Sequence, residues 1–195
     1  MDTVAAGALV AAGAYFLGGL SPGHWLVKRR AGIDIRTQGS GVTGATNAGR
    51  VLGRGGFASI MLLDAAKGAA PVVAGRLLNF DEAWLGLFCF VAVAGHIWPA
   101  HLGFRGGKGA ATAAGGWLAL DWRLVVVGLV ATAAIFGFLR RFAHSGLLAM
   151  PLVPVAAWWL GASAALIAWT AAMLVLLYWA HRANLKSLFT ERQSL

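Results

Sequence analysis

Glycines and a lysine form the most informative motif in this chain, within the segment that covers residues 95–112. Lys108 lies among Gly106, Gly107 and Gly109, immediately before an alanine-rich run that is typical of a helix. Glycines let backbone N–H groups approach an anion closely, and a helix N-terminus adds partial positive charge. The motif therefore predicts a phosphate site. It is not a nucleotide-binding P-loop, because Gly109 follows the lysine where that motif has Ser or Thr.

A second glycine-rich segment, residues 39–50, has the same character. Neutral hydrogen-bonding side chains, glycine amides and one cation occur together in it: Ser40, Gly41, Gly44, Thr46, Asn47 and Arg50. Ser, Thr and Asn side chains and exposed amides can line an anion pocket, and an arginine can make a charge-assisted contact with phosphate. Taken alone, the segment also fits a flexible loop, because four glycines in twelve residues favour turns.

A third polar segment, residues 181–193, follows the last apolar stretch. His181 and Asn184 are three residues apart, so a helix would place both on one face. A histidine stabilised by the helix C-terminal dipole explains His181 equally well. In the middle segment, a structural role is the better interpretation of His101, whereas His96 precedes the glycine cluster and is a candidate support.

Composition indicates the class of protein that must position these residues. Apolar residues make up 59% of the chain and charged residues only 12%, with a mean hydropathy of +0.72. These values predict an all-α integral membrane protein, with residues 1–195 forming one membrane-embedded domain. The single cysteine excludes an internal disulfide and a cysteine-based zinc site. We expect no metal, no cofactor and no nucleic-acid partner.

The apolar stretches divide into seven predicted transmembrane helices, since a bilayer core of ~30 Å needs about 20 helical residues. The stretch from 146 to 180 has no charge, and as one helix it would be ~52 Å long. We therefore expect it to fold back near residues 161–163. The predicted spans are residues 4–27, 55–78, 83–102, 110–120, 124–139, 146–160 and 164–180.

Charge placement orients these spans. With the N-terminus outside and the C-terminus in the cytoplasm, thirteen of the sixteen Lys and Arg residues fall on the cytoplasmic side. All three polar segments then lie on that same face, which is the pattern of a site. Attraction to anionic lipid headgroups is the simpler explanation for the other basic clusters. Within the second span, Asp64 and Lys67 are i,i+3 neighbours that we expect to pair and to support the site.

In these motifs and their order the chain resembles the bacterial acyl-phosphate:glycerol-3-phosphate acyltransferases, the PlsY family. The resemblance covers nearly the whole length. The matching residues are Asp34-Ile35-Arg36, Gly39-Ser40-Gly41, Gly44-Ala45-Thr46-Asn47 with Arg50, Asp64 with Lys67-Gly68, Gly95-His96 with Pro99, Phe104 with Gly106-Gly107-Lys108-Gly109 and Thr112, and His181-Arg182 with Asn184.

This resemblance implies transfer of a fatty acyl group from acyl phosphate to the 1-hydroxyl of glycerol 3-phosphate, at the cytoplasmic face of a bacterial inner membrane. The products would be lysophosphatidic acid and inorganic phosphate. Family positions assign glycerol 3-phosphate to Ser40, Arg50, Lys108, His181 and Asn184. They assign the acyl phosphate to Thr46, Asn47 and the glycine amides of the first two segments. We expect a monomer among membrane lipids.

The chain departs from the family pattern at a few positions. Val42 replaces an asparagine, and Ser187, Glu191 and Gln193 replace Arg, Gly and Glu, with Glu191 a candidate substitute for the displaced carboxylate. Two alternatives therefore remain open. One is a divergent relative that acylates another phosphorylated acceptor or binds lipid phosphate without catalysis, and the other is a small anion transporter.

Overall fold

The computed structural model describes residues 2–190, so the predicted site residue Glu191, and Gln193, lie outside the described part. Helices make up most of this part, and the predicted all-α class is confirmed. The α-helices are α1 (Thr3–Gly19), α2 (Pro22–Ala31), α3 (Ala45–Leu77), α4 (Glu82–Ile97), α5 (Ala110–Leu120), α6 (Trp122–Leu139), α7 (Phe142–Ala149), α8 (Leu152–Trp159), α9 (Ala164–Ala180) and α10 (Arg182–Thr190). Two short 3₁₀ helices, Ile35–Thr37 and Ala100–Leu102, lie in the loops before α3 and α5.

Five segments of the described chain are long and apolar enough to cross a membrane: Thr3–Ala31, Ala45–Leu77, Glu82–Leu102, Trp122–Leu139 and Phe142–Trp159. Two shorter apolar helices, Ala110–Leu120 and Ala164–Ala180, match the remaining predicted spans. Trp158 and Trp159 are exposed, as is Phe138, which suits a surface in contact with lipid.

The first predicted span is not a single helix. Its α1 part ends at Gly19 and α2 begins at Pro22. Proline has no backbone N–H and fits the first turn of a helix, so it starts α2 rather than continuing α1. The carbonyl of Leu20 at this break accepts a hydrogen bond from Lys67 Nζ at 2.5 Å. The backbone carbonyl freed by the break therefore has a hydrogen-bond partner inside the protein, as an apolar environment requires.

The second predicted span continues further toward the N-terminus than expected. Helix α3 begins at Ala45, but Gly53 has a φ of 72° and interrupts the helical backbone. A short helical piece, residues 45–52, therefore precedes the long piece that matches the predicted span. The flexible-loop alternative does not hold for residues 45–50. Positive φ favours glycine, so Gly53 permits the kink that directs the short piece away from the axis of the long one.

Residues 1–120 form one compact unit. Helix α3 packs against α4 and α5, and α1 packs against α4. Small residues allow close helix contacts: a Cβ on Gly68 would overlap the Thr112 carbonyl, and one on Gly115 would overlap the Ala65 carbonyl. Such contacts are how membrane helices gain packing energy when the lipid is as apolar as the interface.

The described residues from 121 onward form a second compact unit. In this unit α6 packs against α7 and α8, α8 against α9, and α7 against α10. The predicted turn near 161–163 is confirmed, because α8 ends at Trp159 and Ser163 caps α9. The predicted span 146–160 is interrupted at Met150 and Pro151, where α7 ends and α8 begins. That residues 1–195 act as a single domain stays a prediction.

Candidate active site

The loop before α3 is held in place by an apolar cluster beneath it. Val27 of α2, Ile35 of the first 3₁₀ helix, and Ala48 and Ile60 of α3 are fully buried together. Burying a valine or isoleucine side chain stabilises the packing by roughly 1.5–3 kcal/mol. The loop that carries Ser40 is therefore anchored at both of its ends.

The side chain of Asn47 organises this loop. Its Nδ2 group lies within donating distance of the carbonyls of Ile35, Gln38 and Val42, at 3.2, 2.9 and 2.9 Å. Its Oδ1 atom accepts from the Ser40 amide at 3.2 Å. Asn47 is 1% exposed, so these bonds replace contacts with water. The carboxamide is thus engaged with the protein, and contact between Asn47 and phosphate stays a prediction.

Three other predicted residues of the first segment are accessible. Ser40 and Thr46 are exposed, and so is Arg50, whose NH1 group donates to Asn47 Oδ1 at 3.3 Å. Gly39 has a φ of 53°, and a Cβ there would overlap Asn47 Oδ1. Glycine is therefore required where the loop passes over the Asn47 carboxamide. Gly44 is the N-cap residue of α3 and supplies no side-chain hydrogen bond to the first turn of the helix.

The lysine loop between the second 3₁₀ helix and α5 is pinned to the end of α4. The amide of Gly106 donates to the Ile97 carbonyl at 3.1 Å, and the amide of Gly107 donates to the His96 carbonyl at 3.0 Å. Gly109 has a φ of 84° and its carbonyl accepts from Ala113 in the first turn of α5. These contacts place Lys108 directly before the helix, as the sequence predicted.

The two glycine segments meet in the structure. The Thr43 amide donates to the Gly106 carbonyl at 3.3 Å. Burial, and next the positive charge of Arg50, lower the pKa of the half-buried Lys108. Two cations that lie close enough to repel each other attract an anion, because its negative charge offsets their mutual repulsion. The contact between the segments and the effect of Arg50 on the Lys108 pKa bring these two cations into one region, although they are 58 positions apart by subtraction of their numbers.

A second link between the loops depends on Arg36. Its guanidinium forms a fork with the Asp34 carboxylate, with contacts of 3.1 and 2.7 Å, and its NH1 group donates to the Leu102 carbonyl at 3.0 Å. Arg36 holds the pKa of Asp34 well below its usual range. His24 Nδ1 lies 3.4 Å from the same carboxylate. These residues support the loops; the sequence marked Asp34 and Arg36 only through the family resemblance.

Beneath the lysine loop lies a buried group of three ionisable side chains. The predicted pair is present, since Lys67 Nζ lies 2.9 Å from Asp64 Oδ1. His96 joins the pair, with Nδ1 at 3.5 Å from the same oxygen. No carboxylate is near His96 in the sequence, so only the packing of α3 against α4 shows this neighbour.

The third segment belongs to the second unit. His181 Nδ1 lies 2.9 Å from the Leu177 carbonyl. A carbonyl only accepts, so the hydrogen bond requires the proton on Nδ1, and the neutral ring then has its acceptor at Nε2. Asn184 lies one turn further along, and its carbonyl accepts from Ser187 Oγ at 2.9 Å. Ser187 Oγ in turn lies 3.0 Å from Nε2 of His144 on α7. The sequence carries no signal for the His144 contact.

The comparisons with known proteins agree with these motifs. The family model described as glycerol-3-phosphate acyltransferase matches residues 8–191. The chain belongs to the glycerol-3-phosphate acyltransferase family. Curated relatives with that name include one from Desulfitobacterium hafniense (strain Y51), which is 40% identical and aligns over 92% of this chain and 89% of its own length. Another, from Pseudomonas paraeruginosa (strain DSM 24068 / PA7), is 40% identical and aligns over 95% of this chain and 97% of its own length.

Two solved structures of a family member are similar to this fold. Both are of PlsY, an integral membrane glycerol 3-phosphate acyltransferase. The glycerol 3-phosphate form superposes with a TM-score of 0.89 at 29% identity, covering 96% of this chain and 94% of the other. The lysophosphatidic acid form has a TM-score of 0.87 at 28% identity, covering 96% of this chain and 93% of the other. The architecture described above is therefore that of an integral membrane acyltransferase of this family.

Proposed function

We propose that the protein transfers a fatty acyl group from acyl phosphate to the 1-hydroxyl of glycerol 3-phosphate, giving lysophosphatidic acid and inorganic phosphate. The observation that carries this proposal is the meeting of the two glycine segments, which brings the charges of Arg50 and Lys108 together beside helix N-termini. Membership of the glycerol-3-phosphate acyltransferase family supports the acceptor. The choice of acyl phosphate as donor rests on the motif resemblance.

The reaction needs little covalent chemistry from the protein. The hydroxyl oxygen of the acceptor attacks the acyl carbonyl carbon, a new ester bond forms, and the bond from that carbon to the phosphate oxygen breaks. The hydroxyl proton passes either to Nε2 of His181 or to a phosphate oxygen. Because phosphate is a good leaving group, no acyl-enzyme is required. The protein must hold two anions in register and stabilise the negative charge that develops.

Individual roles follow from charge and exposure. We assign the acceptor phosphate to Lys108, Arg50 and exposed Ser40, because cations and a hydroxyl suit a phosphate dianion. From the motif resemblance alone, we assign orientation of the acceptor hydroxyl to His181 and Asn184. The donor phosphate is assigned to Thr46 and to the backbone amides of Gly44 and Gly109, which come directly before α3 and α5. The amides of Gly41, Gly106 and Gly107 already donate to backbone carbonyls, so we assign these three glycines to the shape of the phosphate site rather than to direct contact through their amides. Asn47 serves this group by holding the loop.

We propose seven spans, with the N-terminus outside and the glycine segments facing the cytoplasm of a bacterial inner membrane. The distribution of Lys and Arg supports this orientation. Cys89 is buried, so cysteines introduced elsewhere can be labelled selectively. A cysteine at Gln38 should react with a membrane-impermeant maleimide only after the cells are opened, whereas one at Asp81 should react in intact cells. The reverse pattern would invert the proposed orientation.

The decisive test of function is product formation by the purified protein in detergent. Palmitoyl phosphate and glycerol 3-phosphate should yield lysophosphatidic acid and one equivalent of inorganic phosphate, while palmitoyl-CoA should yield none. Product from the thioester alone would overturn the proposed donor. No product from either donor, with folded protein, would favour another acceptor or a non-catalytic role.

A further inference from the structure

The ring of His96 lies between a buried carboxylate and the backbone of the lysine loop. On one side, Nδ1 is 3.5 Å from Asp64 Oδ1. On the other side, Nε2 is so close to Gly107 that a Cβ at that position would overlap it. His96 is 5% exposed and Asp64 is 2% exposed. Nothing larger than glycine fits above this ring, so the ring forms a floor under the loop.

The backbone of His96 contacts the same glycine. The Gly107 amide donates to the His96 carbonyl at 3.0 Å, and the neighbouring Gly106 amide donates to the Ile97 carbonyl at 3.1 Å. The end of α4 thus determines both the direction and the height of the loop. Lys108 is the next residue, so its Cα position depends on these contacts.

The carboxylate that faces His96 is itself fixed. Lys67 lies 2.9 Å from Asp64 Oδ1 and also donates to the Leu20 carbonyl at the break between α1 and α2. A buried carboxylate needs such a partner, because an unpaired charge in a low-dielectric interior is strongly unfavourable. Lys67 therefore fixes Asp64, whose carboxylate faces Nδ1 of the His96 ring at 3.5 Å.

We propose that His96 is a positioning residue for Lys108: held by Asp64, its ring sets the height of the Gly107 backbone and thereby the location of the Lys108 ammonium group. This inference rests on the proposed function of Lys108 as the ligand of the acceptor phosphate. A displacement of about 1 Å in a positioning group can reduce a rate roughly a hundredfold, so the floor under the loop bears directly on activity.

Two substitutions of His96 distinguish the contact with Asp64 on one side of the ring from the contact with Gly107 on the other. In His96→Asn the amide lies near the former Nδ1 and keeps the contact with Asp64, but a gap opens beneath Gly107. In His96→Gln the longer side chain reaches the glycine. We expect His96→Asn to weaken glycerol 3-phosphate binding about tenfold, measured by calorimetry on the detergent-solubilised protein, and His96→Gln to retain most of the affinity. The matched control is His101→Asn at an exposed histidine five residues away, which should bind normally.

Coupling to Lys108 distinguishes positioning from a general structural role. In a Lys108→Met background, adding His96→Asn should cause no further loss of affinity, because the effect acts through the lysine that is already absent. A second readout is the pH dependence of Lys108 acetylation, followed by mass spectrometry with Lys28 as a reference for the reagent. If the loop loosens in His96→Asn, Lys108 becomes less buried and its pKa should rise.

Additive losses in the double variant, or an unchanged acetylation midpoint with unchanged affinity, would overturn the positioning role. If His96→Asn does not fold, Gly107→Ala tests the same contact from the loop side and should give the same loss and the same change in acetylation. Failure of the wild-type protein to form lysophosphatidic acid would overturn the proposed function instead, and the acetylation readout would still test the position of Lys108.

Discussion

The backbone amide of Thr43 donates a hydrogen bond to the carbonyl of Gly106 at 3.3 Å, and this contact joins the two glycine segments. Thr43 is 2% exposed, so the link lies inside the protein rather than at a mobile surface. Because of it, a cation from each segment can act on one anion.

Lys108→Ala should reduce turnover at least a hundredfold while leaving the fold intact. The loop is formed by the glycines and by backbone contacts with α4, so the side chain can be removed without altering it. The variant loses the electrostatic stabilisation that a fixed cation gives to the transition state, and removal of one such group typically lowers the rate by ~10²–10³. The measurement is lysophosphatidic acid formation alongside thermal unfolding. Lys28→Ala, at an exposed lysine of α2, is the control and should retain full activity.

Arg50→Gln should move the alkaline limit of glycerol 3-phosphate binding to higher pH. The charge of Arg50 lowers the pKa of Lys108, so removing it raises that pKa. Binding of an anion favours the charged ammonium group, and affinity therefore falls as pH rises through the Lys108 pKa.

KM for glycerol 3-phosphate measured as a function of pH tests this shift. The series should stay well above pH ~6, near which the second proton of a phosphate ester titrates. The absolute affinity will also fall, because Arg50 is itself a proposed ligand. Only the position of the alkaline limit reports on Lys108, and an unchanged limit would contradict the coupling.

Asn47→Ala should destabilise the loop before α3. The two N–H donors of the buried carboxamide lie within reach of three carbonyls, and its oxygen accepts from the Ser40 amide; an unsatisfied buried polar group costs about 1–3 kcal/mol. The expected result is a lower thermal midpoint and earlier proteolysis within the loop. Thr46→Ala at the exposed neighbour is the control, with unchanged stability but weaker use of acyl phosphate. Equal stability in the two variants would show that Asn47 does not hold the loop.

Ser187→Ala should lower activity roughly threefold to tenfold through Asn184. Ser187 donates to the Asn184 carbonyl, so its oxygen must accept from His144, which then carries its proton on Nε2. Loss of the hydroxyl breaks this hydrogen bond between α10 and α7. Ser187→Thr keeps the hydroxyl and should retain activity, as measured by KM for glycerol 3-phosphate. Equal KM values in the two variants would exclude this route.

The amino-acid sequence determined the membrane class, the ends of most apolar helices and the turn between α8 and α9. These properties depend on local composition, because about 20 apolar residues suffice for a span and glycine or proline interrupts it. The Asp64–Lys67 pair was predictable for the same reason, since i,i+3 neighbours share a helix face. The glycine segments were recognisable from their residue types alone.

Tertiary structure decided which of these residues meet. His96 contacts Asp64 because α3 packs on α4, and Lys108 lies near Arg50 because Thr43 binds Gly106. The hydrogen bonds between Asn47 and the loop backbone could not be predicted from the sequence either, since its carbonyl partners depend on how the chain turns at Gly39. Long-range contacts of this kind depend on packing and on hydrogen bonds between distant segments, which local residue patterns do not encode.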